Sequence, residues 1–253
     1  MLASSRLDFI TKLITEQKFI TVEELSQEFN VSGETIRRDL KTLEKKGILK
    51  RTYGGAFLEG AKDNDVNVQV RKDKMVKNKD MIAEICSQFL HPDDTIFLDS
   101  STTALEIAKK ITDIPITVIT NSLIIINHLS NYRNVRVISL GGVLDIVNMC
   151  FTGKTTVNEM KNYYAKKGFI SCRSISMKYG VMDSNEQIGQ VRSVAMENCN
   201  KCYLIADHTK FDNTALCKIS NISDFEAVIT DIAPNDKWME YFERYHISVF
   251  FPS

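Results

Sequence analysis

Two sets of residues in this chain have types and spacings suited to chemistry. The first is three short polar runs, each directly after a stretch of apolar and β-branched residues: Asp99-Ser100-Ser101-Thr102-Thr103, Thr120-Asn121-Ser122 and Gly141-Gly142. Hydroxyls and free backbone amides at the start of a helix form an anion site. Lys210 follows a further apolar run and Arg192 lies on the helical stretch before it, so both are candidates to balance a phosphate. Asp99 could accept hydrogen bonds from sugar hydroxyls. Plainer readings exist for each. Ser and Thr are favoured N-caps, Asp99 could cap its helix, and Lys210 and Arg192 could be surface charges. Three loops at successive strand ends favour a phosphorylated small molecule over three unrelated caps. Asp183 and Glu186 follow the loop Lys178-Tyr179-Gly180-Val181, which could close over such a ligand. Asp99, Asp183 and Asp207 are also the carboxylates available for proton transfer at a sugar carbon, but none has a recognisable partner arrangement in the sequence.

The second set is basic. Between Ser32 and Gly55, Arg37, Arg38, Lys41, Lys45, Lys46, Lys50 and Arg51 are opposed by Glu34, Asp39 and Glu44, while the whole chain nets zero. Ile36, Leu40 and Leu43 recur at helical spacing and define an apolar back. Thr35, Arg37, Arg38, Lys41 and Lys45 fall on the opposite face. A solvated helix face is the alternative reading of any charge run. Upstream, Thr21 and Glu24 fit a capping box ahead of Val22, Leu25 and Phe29. Asn30-Val31 breaks that helix, Ser32 is the next N-cap, and Gly47 ends the second helix as a C′ residue. A short helix, a turn and a helix with a buried back and basic front form a geometry that enters the DNA major groove. Basic side chains on phosphates would make affinity fall with salt.

The elements that must position these residues follow from length and pattern. At 253 residues the chain accommodates two domains. The reading is a small DNA-binding domain over 1–58, a polar linker over 59–74 and an effector domain over 75–253. Apolar runs predict strands at Thr95–Leu98, Ile116–Thr120, Val135–Leu140, Phe169–Ser171, Cys202–Ala206, Ala227–Ile229 and Ile247–Phe250. Helical spacing predicts intervening helices, including Thr103–Ile111, Leu123–Leu129, Lys154–Lys161 and one from Gln187. This alternation implies an α/β domain with a mostly parallel sheet, whose ligands bind beyond the carboxyl ends of the strands. No apolar run reaches a membrane span and no signal peptide is evident, so a cytoplasmic location and no membrane partner are expected. The six cysteines read as free thiols; Cys199-Asn-Lys-Cys202 lacks the second pair of a zinc site. Scattered His91, His128, His208 and His246 form no ligand pair, so no metal or cofactor is expected.

The run Val31-Ser32-x-x-Thr35-Ile36-Arg37-Arg38-Asp39-Leu40, then Leu43-Glu44-x-x-Gly47 and Arg51-x-x-Gly54-Gly55-Ala56, resembles the winged helix-turn-helix of the DeoR family of bacterial transcription regulators. The second half is similar to that family's effector domain at Ile96–Thr103, Val118–Ser122, Leu140-Gly141-Gly142, Phe151-Thr152-Gly153, Ala206–Phe211 and Ile229-Thr230-Asp231. The resemblance implies that Thr35, Arg37 and Arg38 lie on a recognition helix, and that Lys50–Tyr53 with Gly54-Gly55 form a wing. It further implies a C-terminal fold resembling ribose-5-phosphate isomerase that binds a sugar phosphate and controls operator affinity. The expected DNA-binding residues are Ser32, Thr35, Arg37, Arg38, Lys41, Lys50, Arg51 and Tyr53. The expected effector set is Asp99 to Thr103, Thr120 to Ser122, Gly141, Gly142, Gly153, Arg192 and Lys210. Two departures stand out: Ser101 occupies a family glycine position, and His208-Thr209 stands where a Ser often adjoins the Lys. The expected partners are operator DNA, a sugar phosphate and further copies of the chain, as dimer or tetramer. A sugar-phosphate isomerase carrying a DNA-binding module, and a structural scaffold, are the alternatives.

Overall fold

The computed structural model describes residues 3–17, 19–51, 55–58 and 68–252, and the chain divides into two units, Met1–Met75 and Val76–Ser253. The first contains α1 (Ala3–Gln17), β1 (Phe19–Thr21), α2 (Val22–Phe29), α3 (Gly33–Lys45), β2 (Leu49–Arg51), β3 (Gly55–Leu58) and α4 (Val68–Asp73). The Thr21 hydroxyl accepts from the Glu24 amide while the Glu24 carboxylate accepts from the Thr21 amide, which starts α2. Asn30, left-handed at φ 49°, ends it. Ser32 Oγ accepts from the Thr35 amide to start α3, and Gly47 at φ 69° follows its end. Ile10 and Ile14 of α1, Leu25 of α2, Ile36, Leu40 and Leu43 of α3, and Leu49 of β2 share one core. The strands form a sheet in the order β1-β3-β2, with β2 and β3 antiparallel as the two sides of a wing. Tyr53 and Gly54, expected in that wing, lie outside the described residues. Within the stretch 59–74 read as a linker, Val68–Asp73 forms α4, where Val68 is buried.

The second unit runs α5 (Val76–Ser87), β4 (Thr95–Leu98), α6 (Thr102–Lys110), β5 (Ile116–Thr120), α7 (Leu123–Leu129), β6 (Val135–Ser139), β7 (Val143–Asp145), β8 (Cys150–Thr152), α8 (Lys154–Met160) and β9 (Ala165–Ile170). It continues with β10 (Ser174–Ser176), β11 (Gly180–Asp183), α9 (Glu186–Glu197), β12 (Cys199–Ile205), β13 (Cys217–Ser220), β14 (Ala227–Ile229), α10 (Asp236–Arg244) and β15 (Ser248–Phe250). Seven of these strands form one sheet in the order β15-β14-β12-β9-β4-β5-β6, every adjacent pair parallel.

Alternation along β4 explains the continuous apolar runs. Ile96 and Leu98 face a core shared with Ile82 of α5, Leu105 of α6 and Ile125 of α7. Phe97 faces the other, with Met160 of α8, Val191 of α9 and Trp238 of α10. Both sheet faces are therefore covered, as parallel sheets require. From β4 the chain steps outward to β5 and β6, then returns to β9 on the other side of β4 and steps outward to β12, β14 and β15. The β4–β9 neighbours form a topological switch point, the place where open α/β sheets bind ligands. Two further features were not expected: an antiparallel β7–β8 hairpin and a small antiparallel sheet, β10-β11-β13. Among the described residues, no helix is long and apolar enough to cross a membrane.

Candidate functional site

The three polar runs lie where β4, β5 and β6 end, and Lys210 lies in a 3-10 turn, His208–Lys210, after β12. These are neighbouring carboxyl ends of one parallel sheet, so the fold brings the expected effector residues to one side of it.

Asp99 sits at the switch point and is almost wholly buried. Its Oδ1 accepts from the Ser101 amide at 2.9 Å. Its Oδ2 accepts from the Ser171 amide, beyond β9, at 2.8 Å and from Arg192 Nε at 2.7 Å. Arg192 Nη1 donates to Asp183 Oδ2, and Asp183 Oδ1 accepts from the Asn185 amide at 2.8 Å. Arg192 is therefore not a surface charge: it is buried and held by two carboxylates. Asp99 accepts from three donors of the protein itself, which fixes its place at the sheet end. Burial alone would lower the Arg192 pKa; the charges of Asp99 and Asp183 outweigh it and hold the guanidinium above its ordinary value.

The hydroxyls divide between capping and open roles. Ser101 Oγ accepts from the Ala104 amide at 3.0 Å and caps α6, so the hydroxyl that departs from the family glycine has a structural duty. Ser122 Oγ accepts from the Ile125 amide at 3.4 Å and caps α7. Thr120 Oγ1 accepts from the Ser122 amide at 3.1 Å. Asn121 Nδ2 donates to the Phe151 carbonyl at 2.8 Å, and its buried Oδ1 has no partner. Ser100, Thr102 and Thr103 are buried at the start of α6.

The glycines are also constrained. The Gly141 amide donates to Glu159 Oε2 at 2.5 Å, so it is not a free anion donor. Gly142 has φ +140°, and a Cβ there would meet Thr156 Oγ1 at 2.1 Å and the Thr152 carbonyl at 2.7 Å. Gly153, at φ 90°, precedes α8 without a side-chain cap.

Across the switch point the same sheet end is built by β9, α9 and β12. Cys172 follows β9; burial pushes its thiol up to about 12, against the pull of Lys210 and Arg192. Asn185 Oδ1 accepts from the Gln187 and Ile188 amides and starts α9. Thr152 Oγ1 donates to Gln187 Oε1 at 3.0 Å, which fastens the β7–β8 hairpin to that helix start. Asp207 Oδ1 accepts from the Thr209 amide at 3.0 Å. Ser171 and Asp231 were missed as site residues by sequence reasoning; each directly or nearly follows a strand, the same signal that marked Asp99. Cys199 and Cys202 lie in β12, and the neighbouring Cys202 together with burial pushes the Cys199 thiol up, away from nucleophilic character.

In the first unit, Arg37, Arg38 and Lys41 are exposed on α3 opposite Ile36 and Leu40, and Thr35 is half-buried. Glu34 Oε2 lies 3.8 Å from Arg37 Nη1. Asp39 is withdrawn from the front: Arg6 Nε of α1 donates to its Oδ2 at 2.6 Å in a buried pair. Lys50 is exposed on β2. Arg51 is held to α3, its Nε donating to Glu44 Oε2 at 2.6 Å and its amide to Glu44 Oε1 at 2.9 Å. Ser32 Oγ lies 3.0 Å from Thr35 Oγ1 beside its capping bond.

A helix-turn-helix with a basic front and a wing, joined in one chain to a parallel α/β unit with polar residues gathered at its switch point, defines a DNA-binding transcription regulator with a sensor domain. The model of the DeoR-like helix-turn-helix domain matches residues 6–59, and that of the DeoR C terminal sensor domain matches residues 74–232. The chain belongs to the DeoR family. It is 36% identical over 231 residues to the uncharacterized HTH-type transcriptional regulator YulB of Bacillus subtilis (strain 168), covering 91% of this chain and 90% of that one. It is 33% identical to the L-fucose operon activator of Haemophilus influenzae, covering 96% of this chain and 97% of that one. The lactose phosphotransferase system repressor of Staphylococcus epidermidis is 29% identical, with 89% and 91% covered. Among solved structures, ribose 5 phosphate isomerase A from Neisseria gonorrhoeae matches with a TM-score of 0.39 and 15% identity over 53% of this chain and 52% of that one, a similarity too slight to bear on activity.

Proposed function

We propose that the protein is a cytoplasmic repressor of a carbohydrate-utilisation operon, and that a phosphorylated sugar bound at the β4–β9 switch point controls its hold on operator DNA. The observation that carries this reading is the gathering of polar side chains at the carboxyl ends of β4, β5 and β6, beside the switch point where open parallel sheets leave a ligand crevice. A buried Asp99–Arg192–Asp183 cluster stiffens that sheet end, Lys210 lies in the turn after β12, and the other unit presents a basic helix. The relatives named for fucose and lactose control point to carbohydrate as the signal class. Arg37 and Arg38 read base edges, with Ser32 and Thr35 at the helix start. Lys41 and Lys50 contact phosphates. Arg51 sets the wing through Glu44, with Tyr53 beside it in sequence. In the crevice, Ser100, Thr102, Thr103, Asn121 and the backbone near Gly142 and Gly153 contact the ligand, and Lys210 neutralises its phosphate. Asp99, Ser101, Thr120, Ser122, Gly141 and Arg192 position that surface.

The protein acts by binding rather than turnover. Supporting this reading, Arg192 holds Asp99 and Asp183 in ion pairs and the relatives are named as transcription regulators. A homo-oligomer presents two α3 helices to symmetric half-sites. Fluorescence anisotropy with a duplex selected by the protein from random sequence tests the reading, titrated with glucose 6-phosphate, fructose 6-phosphate, fructose 1-phosphate and ribose 5-phosphate. One of these is expected to weaken DNA binding while its unphosphorylated sugar does not, because the anion-binding groups would stay unpaired. DNA binding that no sugar phosphate alters would overturn the effector assignment.

A further inference from the structure

Asp231 follows β14 at the same sheet end as the crevice, and its side chain is fully buried. Its Oδ1 accepts from the His208 amide at 2.7 Å, and its Oδ2 lies 2.7 Å from His208 Nδ1. The same Oδ2 accepts from Asn78 Nδ2 at 2.6 Å. Thr230 Oγ1 adds a contact to Oδ1 at 3.2 Å. Burial alone would raise the Asp231 pKa; the bonds from His208 and Asn78 outweigh it and hold the carboxylate below its ordinary value. A buried, ionised carboxylate with its oxygens filled has no slack. Any displacement of its donors breaks a bond or moves the carboxylate.

The two donors belong to elements with different duties. His208 opens the 3-10 turn that carries Lys210. Asn78 is in the first turn of α5, which begins at Val76, the first residue of the second unit. Directly before it, Met75 holds φ 52°, a left-handed conformation that side chains other than glycine rarely adopt. Residues in such sparsely populated conformations cluster at switch regions. Met75 separates α4 from α5 along the chain path from the DNA-binding unit.

We propose that Asp231 is the positioning residue that couples the effector turn to the DNA-binding unit: it fastens His208 of the Lys210 turn to Asn78 of α5, so that effector binding shifts the start of α5 and the Met75 joint. The proposal rests on the crevice being the sugar-phosphate site. A carboxylate that only braced the fold would need neither a donor from the ligand turn nor one from the first turn after the joint.

Asn78 is the residue to change, because it is in neither the proposed DNA-binding set nor the proposed effector-contact set. In Asn78→Ala, operator affinity and the affinity for the active sugar phosphate, measured by calorimetry, should each stay within about twofold of the parent. The ratio of operator Kd with and without sugar phosphate should collapse towards 1, from a parent value expected at about 5–150-fold. Hydrogen exchange supplies a second readout: sugar phosphate should alter protection of the first turn of α5 in the parent and not in the variant. An unchanged ratio in Asn78→Ala overturns the relay alone. Loss of ligand affinity in Asn78→Ala also overturns it, since the bond would then be building the site and not transmitting from it. A parent indifferent to all four sugar phosphates overturns the effector reading, and the relay with it. If Asn78→Ala fails to fold, Asn78→Ser, which keeps a shorter donor, is measured the same way: a ratio below the parent's supports the relay, and an undiminished one overturns it.

Discussion

Arg192 brings one positive charge to two buried carboxylates, and the Ser101, Ser171 and Asn185 amides supply the remaining positive ends. Removing one partner of a buried ion pair leaves an uncompensated charge and costs about 3–5 kcal/mol. Arg192→Ala should therefore lower the denaturant midpoint steeply. Arg192→Lys should rescue it only in part, since an ammonium cannot reproduce the planar fork. An Arg192→Ala protein within about 1 kcal/mol of the parent in urea would remove the cluster from the stability argument. On α3 the residue scale reads differently. Arg37→Ala or Arg38→Ala should leave the melting temperature alone, because both side chains are exposed. Each should weaken operator binding by about 1–3 kcal/mol if it meets a guanine edge. Anisotropy with the selected duplex and with a scrambled duplex of the same length separates that loss from a uniform one.

Between elements, single polar bonds tie one element to the next. Asp94, just before β4, is held by Lys167 of β9 at 2.5 Å and by the His91 amide at 3.0 Å. Burial pushes the Asp94 pKa up, but these bonds outweigh it and the net shift is downward. A depressed folded-state pKa stabilises the protein above the ordinary carboxylate range, and that contribution is lost as pH falls through the folded value. Asp94→Asn should thus lower the urea midpoint at pH 7 and flatten its decline on acidification below about pH 4; parallel acid limbs for parent and variant would contradict this. The Glu44–Arg51 clamp predicts the reverse balance of stability and function. Its side chains are 36% and 37% exposed, so Glu44→Gln should cost no more than about 1 kcal/mol of stability. Operator affinity should nonetheless fall, because β2 loses its tie to α3.

The sequence made the parallel strands legible because both faces of each are buried, which forces unbroken apolar runs. It hid β7–β8, whose Val143, Leu144, Ile146 and Val147 are exposed, so no burial pattern marks the hairpin. It also hid what Asp99 does. Arg192 is 93 residues away along the chain, and no spacing rule reports that a helix on one face will deliver its guanidinium to the end of a strand. The N-terminal unit was the more legible half because its signals are local: the caps at Thr21 and Ser32, the stop at Asn30, and the apolar back of α3 all lie within a few residues of what they control.

At the scale of the whole molecule, the zero net charge conceals a division of labour. The basic front belongs to one unit, so salt should weaken DNA binding through that unit alone, and Lys41→Ala should reduce the salt slope by about 1. The central place of β4 has a consequence for how the chain is made. During synthesis β4, β5 and β6 leave the ribosome before β9, together with α6 and α7, and their contacts are close in sequence. Until β9 arrives to pair Leu98 with Phe169, the other edge of β4 has no neighbour. Until α8, α9 and α10 follow, the Phe97 face has no cover. The nascent protein thus carries an apolar strand with one bare edge and one bare face, which is the form that joins strands from other chains most readily. A pause or a premature stop between β6 and β9 leaves the chain in that state, where capture by chaperones competes with aggregation and decides how much regulator the cell obtains.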